Sequence, residues 1–104
     1  MKSSEYHALA EAFFETLVDA IDDAGADIDS EQAGGILTLI LPDKSRIILN
    51  KQEPLQEIWV ATKFNGHHFA YRDGQWIDNR SGAELQRFLT EAIARQGGGE
   101  VALG

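Results

Sequence analysis

The apolar residues of this chain recur at helical spacing up to Gly25 and at strand spacing immediately after it, and this one switch restricts the fold more than any other feature. Between Ser4 and Ala24, Tyr6, Leu9, Ala10, Phe13, Leu17, Ala20, Ile21 and Ala24 follow three- and four-residue steps, the period of an amphipathic helix. Ser3 or Ser4 is the expected cap at its start and Gly25 at its end. Past Gly25, short extended runs alternate with turn signals, the pattern of an antiparallel meander rather than of β-α units. Strands are expected near 28–32, 36–41, 46–50, 57–63, 67–72 and 75–78. Asn65-Gly66 and Asp73-Gly74 are the strongest hairpin signals, because a type I′ turn needs positive φ at both central residues.

A second helix follows. Ser81 with Glu84 reads as a capping box, and Leu85, Phe88, Leu89, Ala92 and Ile93 form an apolar stripe that runs to about Gln96, where Gly97-Gly98-Gly99 stops it. Val101 and Leu103 in the tail can cover an exposed seam of core. Two one-faced helices and one sheet must bury their apolar faces together, so the expected fold is α+β. It is a two-layer α-β sandwich, with N- and C-terminal helices packed on one face of an antiparallel sheet of about six strands. The sheet keeps one face open. Along the run Glu57–Lys63, Ile58, Val60 and Thr62 point one way and Trp59 the other, so Trp59 is expected on the open face as an interface anchor.

Charge is distributed as unevenly as hydropathy. Residues 1–31 contain nine acids, Glu5, Glu11, Glu15, Asp19, Asp22, Asp23, Asp27, Asp29 and Glu31, against Lys2 alone, a net −8 that equals the charge of the whole 104-residue chain. Successive residues of a helix are about 100° apart, which puts Glu5, His7, Glu11, Glu15, Asp19, Asp22 and Asp23 opposite its apolar arc. A solvated helix face is the plain explanation. Three features argue for more. Acids at 11, 15, 19 and 23 are four apart, which costs a few tenths of a kcal/mol per pair. Asp22 and Asp23 sit at the negative end of the helix dipole. Asp27, Asp29 and Glu31 then alternate along the next strand.

Carboxylate clusters of this kind, with His7 at one end, suit hard or borderline cations held weakly and open to water. With no cysteine in the chain, thiolate sites, iron-sulfur ligation by the protein and disulfides are excluded. An EF-hand fails because a frame with Gly25 at position 6 and Glu31 at position 12 leaves Ala20 and Ala24 at ligand positions. His67 and His68 are neighbours on a strand and point to opposite faces, so they read as structural or surface residues. No nucleophile-elbow, zinc-protease or phosphate-loop motif occurs, and an enzyme is not expected. The acidic balance argues against nucleic acid and against an anionic membrane as partners. There is no signal core or transit-peptide composition, so a cytoplasmic protein is expected.

Longer stretches carry a resemblance. SEYH at 4–7, IDD at 21–23, DIDSE at 27–31, GGILTL at 34–39, NKQEPLQEIWVATK at 50–63, HHF at 67–69 and DGQWIDNRSG at 73–82 resemble bacterial frataxins, the CyaY family, over nearly the whole chain. The resemblance implies one frataxin-like domain over 1–104 and weak, surface-bound iron (Fe²⁺ or Fe³⁺). It also implies a part in iron-sulfur cluster assembly, binding a cysteine desulfurase and modulating it in an iron-dependent way. The implied metal residues are Glu11, Glu15, Asp19, Asp22, Asp23, Asp27, Asp29 and Glu31. The implied partner surface is Asp22, Asp23, Asn50, Gln52, Trp59 and Arg80. Val18-Asp19 stands where members of the family often have paired acids, which predicts fewer or weaker iron sites. A monomer is expected in the absence of metal. The alternative from another class is an acidic protein that inhibits a basic partner by charge mimicry; it gives Trp59 no role. A di-iron enzyme would need histidines that the second helix lacks.

Overall fold

A computed structural model describes residues 1–103. Helix α1 (Ser3–Asp23) is followed by strands β1 (Asp29–Ala33), β2 (Ile36–Ile40) and β3 (Arg46–Gln52), then a 3-10 turn at Glu53–Leu55. Strands β4 (Glu57–Ala61), β5 (Gly66–Arg72) and β6 (Gln75–Asp78) precede helix α2 (Leu85–Arg95). Every strand pairs antiparallel with its sequence neighbour, so the sheet order is β1-β2-β3-β4-β5-β6. This is the expected two-layer sandwich. Its core joins Tyr6, Phe14, Leu17 and Ile21 of α1 to Leu37, Leu39, Ile47, Leu49, Ile58, Val60, Phe69 and Trp76 of the sheet and Leu85, Leu89 and Ile93 of α2.

Both helices end alike. The amide of Ala26 donates to the Ile21 carbonyl and that of Gly25 to Asp22; at α2 the amide of Gly98 donates to Ile93 and that of Gly97 to Ala94. These are Schellman closures, with Gly25 (φ 64°) and Gly97 (φ 84°) in the left-handed position. The tail then turns back, and Val101 and Leu103 are buried in the core.

The starts of the helices differ from expectation. The residue preceding α1 is Lys2, which makes no side-chain cap, and the Ser3 hydroxyl instead donates to Glu53 Oε1 at 2.8 Å. At α2 the capping box is absent. Glu84 is itself the cap, its carboxylate accepting from the amides of Gln86 (2.8 Å) and Arg87 (3.2 Å), while Ser81 Oγ accepts from Ala83. A carboxylate two or three residues ahead of free amides satisfies the same orphan donors that a serine would.

One hairpin signal holds and the other moves. Asp73 and Gly74 have φ of 50° and 82°, as a type I′ turn requires. The β4-β5 connection is instead a four-residue loop, Thr62 to Asn65, because Ala61 pairs with Gly66. Thr62 leaves the strand, and its hydroxyl accepts the amides of Phe64 and Asn65, both at 3.1 Å. A local side-chain turn outcompetes the Asn-Gly signal here.

Candidate functional site

The open face of the sheet follows from register. Ile48 stands between Thr38 and Ala61, and Asn50 between Ile36 and Trp59, while Trp59 lies opposite His68. On the other face the alternate residues Leu37, Leu39, Ile47, Leu49, Ile58, Val60 and Phe69 are buried. Trp59 is therefore directed outward as expected. Its indole Nε1 donates to Glu57 Oε1 at 2.8 Å, and Glu57 also accepts from Asn79 Nδ2. The His68 ring stacks on the indole at 4.2 Å and 10°. A hydrogen bond along the ring edge and a stacked neighbour together fix one rotamer of Trp59. Gln52 pairs with Glu57 on the same face, and Arg80 lines a cleft with His68 and Asn79 beside it. Asn50, Gln52 and Trp59 thus share the open face, with Arg80 at the cleft beside His68. His68, Glu57 and Asn79, which hold Trp59, were not among the sequence candidates.

The acids form a band along one edge. Glu11, Glu15, Asp19, Asp22 and Asp23 are exposed on α1, Asp27 is exposed in the loop, and Asp29 and Glu31 are exposed on the edge strand β1. One expectation needs correction. β1 begins at Asp29, so Asp27 precedes the strand instead of alternating along it. Asp29 and Glu31 pair with Ile40 and Thr38, which puts them on the open face that carries Trp59. The acidic band and the Trp59 surface are in this way two parts of one continuous exterior.

The N-terminal end of the band is neutralised. Lys51 Nζ lies 3.1 Å from Glu11 Oε1 and 3.2 Å from His7 Nδ1, and His7 Nε2 lies 3.3 Å from Glu53 Oε2. His7 is therefore part of a paired network and does not extend the acidic stripe as a free donor. The Ser3 hydroxyl and then His7 hold the Glu53 carboxyl below its ordinary value.

Elsewhere polar groups serve the scaffold. Asp78, 4% exposed, accepts from the amides of Arg80 and Ser81 and pairs with His67 Nδ1 at 2.8 Å. Burial works to raise this carboxyl, but those hydrogen bonds outweigh it and hold it below the usual range. Burial raises the Tyr6 phenol, whose hydroxyl donates to the Glu57 carbonyl at 2.6 Å. Gln96 ties the end of α2 to two loops, accepting from Lys63 N (2.9 Å) and donating to Ser45 Oγ (2.9 Å).

Among the described residues, no three His, Asp or Glu side chains converge on a common point. The band consists of exposed oxygen donors, a set that fits hard cations keeping most of their water. Also among the described residues, no helix is long and apolar enough to cross a membrane.

These features define an α-β sandwich with an acidic edge and an open sheet face that carries Trp59. The Frataxin-like domain model matches residues 1–99, and the chain belongs to that family. It is 51% identical to the iron-sulfur cluster assembly protein CyaY of Tolumonas auensis, over 100% of both chains. It is similar to the solved frataxin of Psychromonas ingrahamii, with 40% identity, a TM-score of 0.95, and coverage of 100% of this chain and 99% of that one. Trimeric frataxin from the yeast Saccharomyces cerevisiae, complexed with ferrous iron, is 27% identical with a TM-score of 0.72, over 83% of this chain and 82% of that one.

Proposed function

We propose that this chain is a non-catalytic, iron-binding adaptor of iron-sulfur cluster assembly that docks on a cysteine desulfurase through its acidic band and modulates the enzyme's rate according to iron supply. The observation that carries this reading is the continuity of the exposed acids of α1 and β1 with the face of Trp59. The band offers one surface both to hydrated Fe²⁺ or Fe³⁺ and to a basic protein, since each responds to summed negative charge. Glu15, Asp19, Asp22, Asp23, Asp27, Asp29 and Glu31 would hold the metal, with Glu11 already paired to Lys51. Asp22, Asp23, Asn50, Gln52, Trp59 and Arg80 would meet the partner. The relative from Tolumonas auensis bears the name of an assembly protein, and the yeast relative binds ferrous iron. Both support the reading. The metal-free chain would act as a monomer in the cytoplasm.

The test is desulfurase activity in an anaerobic cluster-assembly reaction, with and without the protein, at low and high Fe²⁺. An iron-dependent change of rate is expected, and it should disappear in the Asp22→Lys/Asp23→Lys variant. An identical rate in all four conditions, with no binding to the desulfurase, would refute the proposal.

A further inference from the structure

At the N-terminal end of the acidic band, the order of atoms around His7 resembles a metal site in which an ammonium takes the place of the metal. His7 and Glu11 are four residues apart on α1 and so lie one above the other on the same face. Both reach one point, Lys51 Nζ, at 3.2 and 3.1 Å. A lysine ammonium can only donate, so Nδ1 of His7 is the acceptor and Nε2 carries the hydrogen that faces Glu53 Oε2 at 3.3 Å. The Ser3 hydroxyl in turn donates to Glu53 Oε1 at 2.8 Å. Carboxylate, imidazole and cation in that sequence is the arrangement that orients metal-ligating histidines. The Lys51 side chain is 11% exposed against 62% for Glu11, and its stem passes over Gly35, where a Cβ would lie 3.4 Å from Lys51 Cε. The ammonium is held in place by the sheet.

We propose that Lys51 is a tethered cation occupying a two-ligand site made by His7 and Glu11, and that it keeps divalent metal off this end of the band. Imidazole with carboxylate suits borderline metals such as Fe²⁺ and Co²⁺ better than it suits Mg²⁺ or Ca²⁺. A fixed positive charge a few ångströms away opposes a divalent ion twice as strongly as a monovalent one. Wild-type protein therefore takes metal on the bare carboxylates toward Asp22 and Asp23. The proposal refines the reading of the band as a cation surface and rests on it only for that last statement.

The experiment is a Co²⁺ titration followed by paramagnetic broadening in NMR spectra, comparing wild type, Lys51→Met, Lys51→Arg and His7→Ala/Lys51→Met. In the wild type, His7 ring signals should persist at Co²⁺ levels that broaden the amides of Asp22 and Asp23. In Lys51→Met they should broaden at Co²⁺ concentrations lower by about tenfold or more. Lys51→Arg keeps the charge and should resemble wild type, and His7→Ala/Lys51→Met should lose the new affinity. Early broadening of His7 in the wild type, or a shift smaller than twofold in Lys51→Met, would overturn the proposal. The wild-type arm decides even where a variant fails to fold. Silent Asp22 and Asp23 amides with a responsive His7 in Lys51→Met would instead refute the cation reading of the band and leave the role of Lys51 standing.

Discussion

Gly98→Ala is a sharp test of how the C-terminal tail is held. Gly98 is buried and its φ is not in the left-handed region, so alanine is permitted by the backbone. Space is the obstacle: a Cβ would lie 2.7 Å from Ile93 Cγ2, 3.1 Å from Ile28 Cδ1 and 3.2 Å from the Ile93 carbonyl oxygen. The chain has two ways out. Ile93 and Ile28 can shift, and overpacking of this kind costs about 1–3 kcal/mol. Alternatively the tail lifts and exposes Val101 and Leu103, at about 1.5–3 kcal/mol each. The first route is cheaper, so a loss of about 1–3 kcal/mol is expected in urea unfolding, with a fall in Tm of roughly 4–8 °C per kcal/mol. Ile93→Leu removes the β-branch that supplies Cγ2 at a cost below about 1.5 kcal/mol alone. In combination with Gly98→Ala it should recover part of the loss. Gly97→Ala is the control, since that residue has φ 84° and open space around it. It should cost about 1 kcal/mol through backbone strain and show no coupling to Ile93. Additivity of Gly98→Ala with Ile93→Leu to within about 0.5 kcal/mol would refute the steric argument.

Asp78, whose folded carboxyl titrates below its unfolded value, contributes stability that is complete above about pH 4 and disappears as pH falls through the depressed value. Urea midpoints measured from pH 7 to pH 2 should therefore fall less steeply on the acid side for Asp78→Asn than for wild type. Glu84→Ala should lower stability by about 1 kcal/mol in the same assay, and Ser81→Ala by clearly less, because Glu84 is the residue that caps α2. Trp59→Ala is expected to weaken desulfurase binding in calorimetry by at least tenfold, about 1.4 kcal/mol, while leaving Fe²⁺ binding unchanged; equal loss of both would contradict the separation of surfaces. Affinity for the desulfurase should drop with added salt, and less steeply in the Asp22→Lys/Asp23→Lys variant.

The architecture was legible because periodicity reports burial, and here each element has one buried side. The alternation of Ile58 and Val60 with Trp59 was sufficient to aim the indole outward. Its surroundings could not be read the same way. An Asn65-Gly66 two-residue turn would set Trp59 opposite Arg72, whereas the four-residue loop sets it opposite His68. The stacked ring was hidden by that shift in register. The Lys51 network was hidden for a different reason. Lys51 is on β3 and its partners are 40 and 44 residues away on α1, and the spacing of charges along a chain does not predict such pairs. The acids themselves were visible as a run, but that Asp29 and Glu31 share the face of Trp59 follows only from their pairing with Ile40 and Thr38.

The order of the strands also has a meaning for synthesis. Each hairpin can close as soon as it is made, but α1 comes first and the ring of Tyr6 packs against Trp76 of the last strand. At about 5–20 residues per second, the apolar stripe of α1 waits roughly 4–14 s for that contact. During that interval neighbouring nascent chains present the same greasy stripe to one another, each carrying the full net charge of the mature molecule on its first 31 residues. Like charges on these segments are expected to hold them apart. Cell-free translation of a Glu15→Gln/Asp19→Asn/Asp22→Asn variant, which leaves the Glu11–Lys51 pair intact, should give a larger insoluble fraction at equal folded stability. Charge placed on the first element made would thus limit association of unfinished chains before the core that hides the stripe exists.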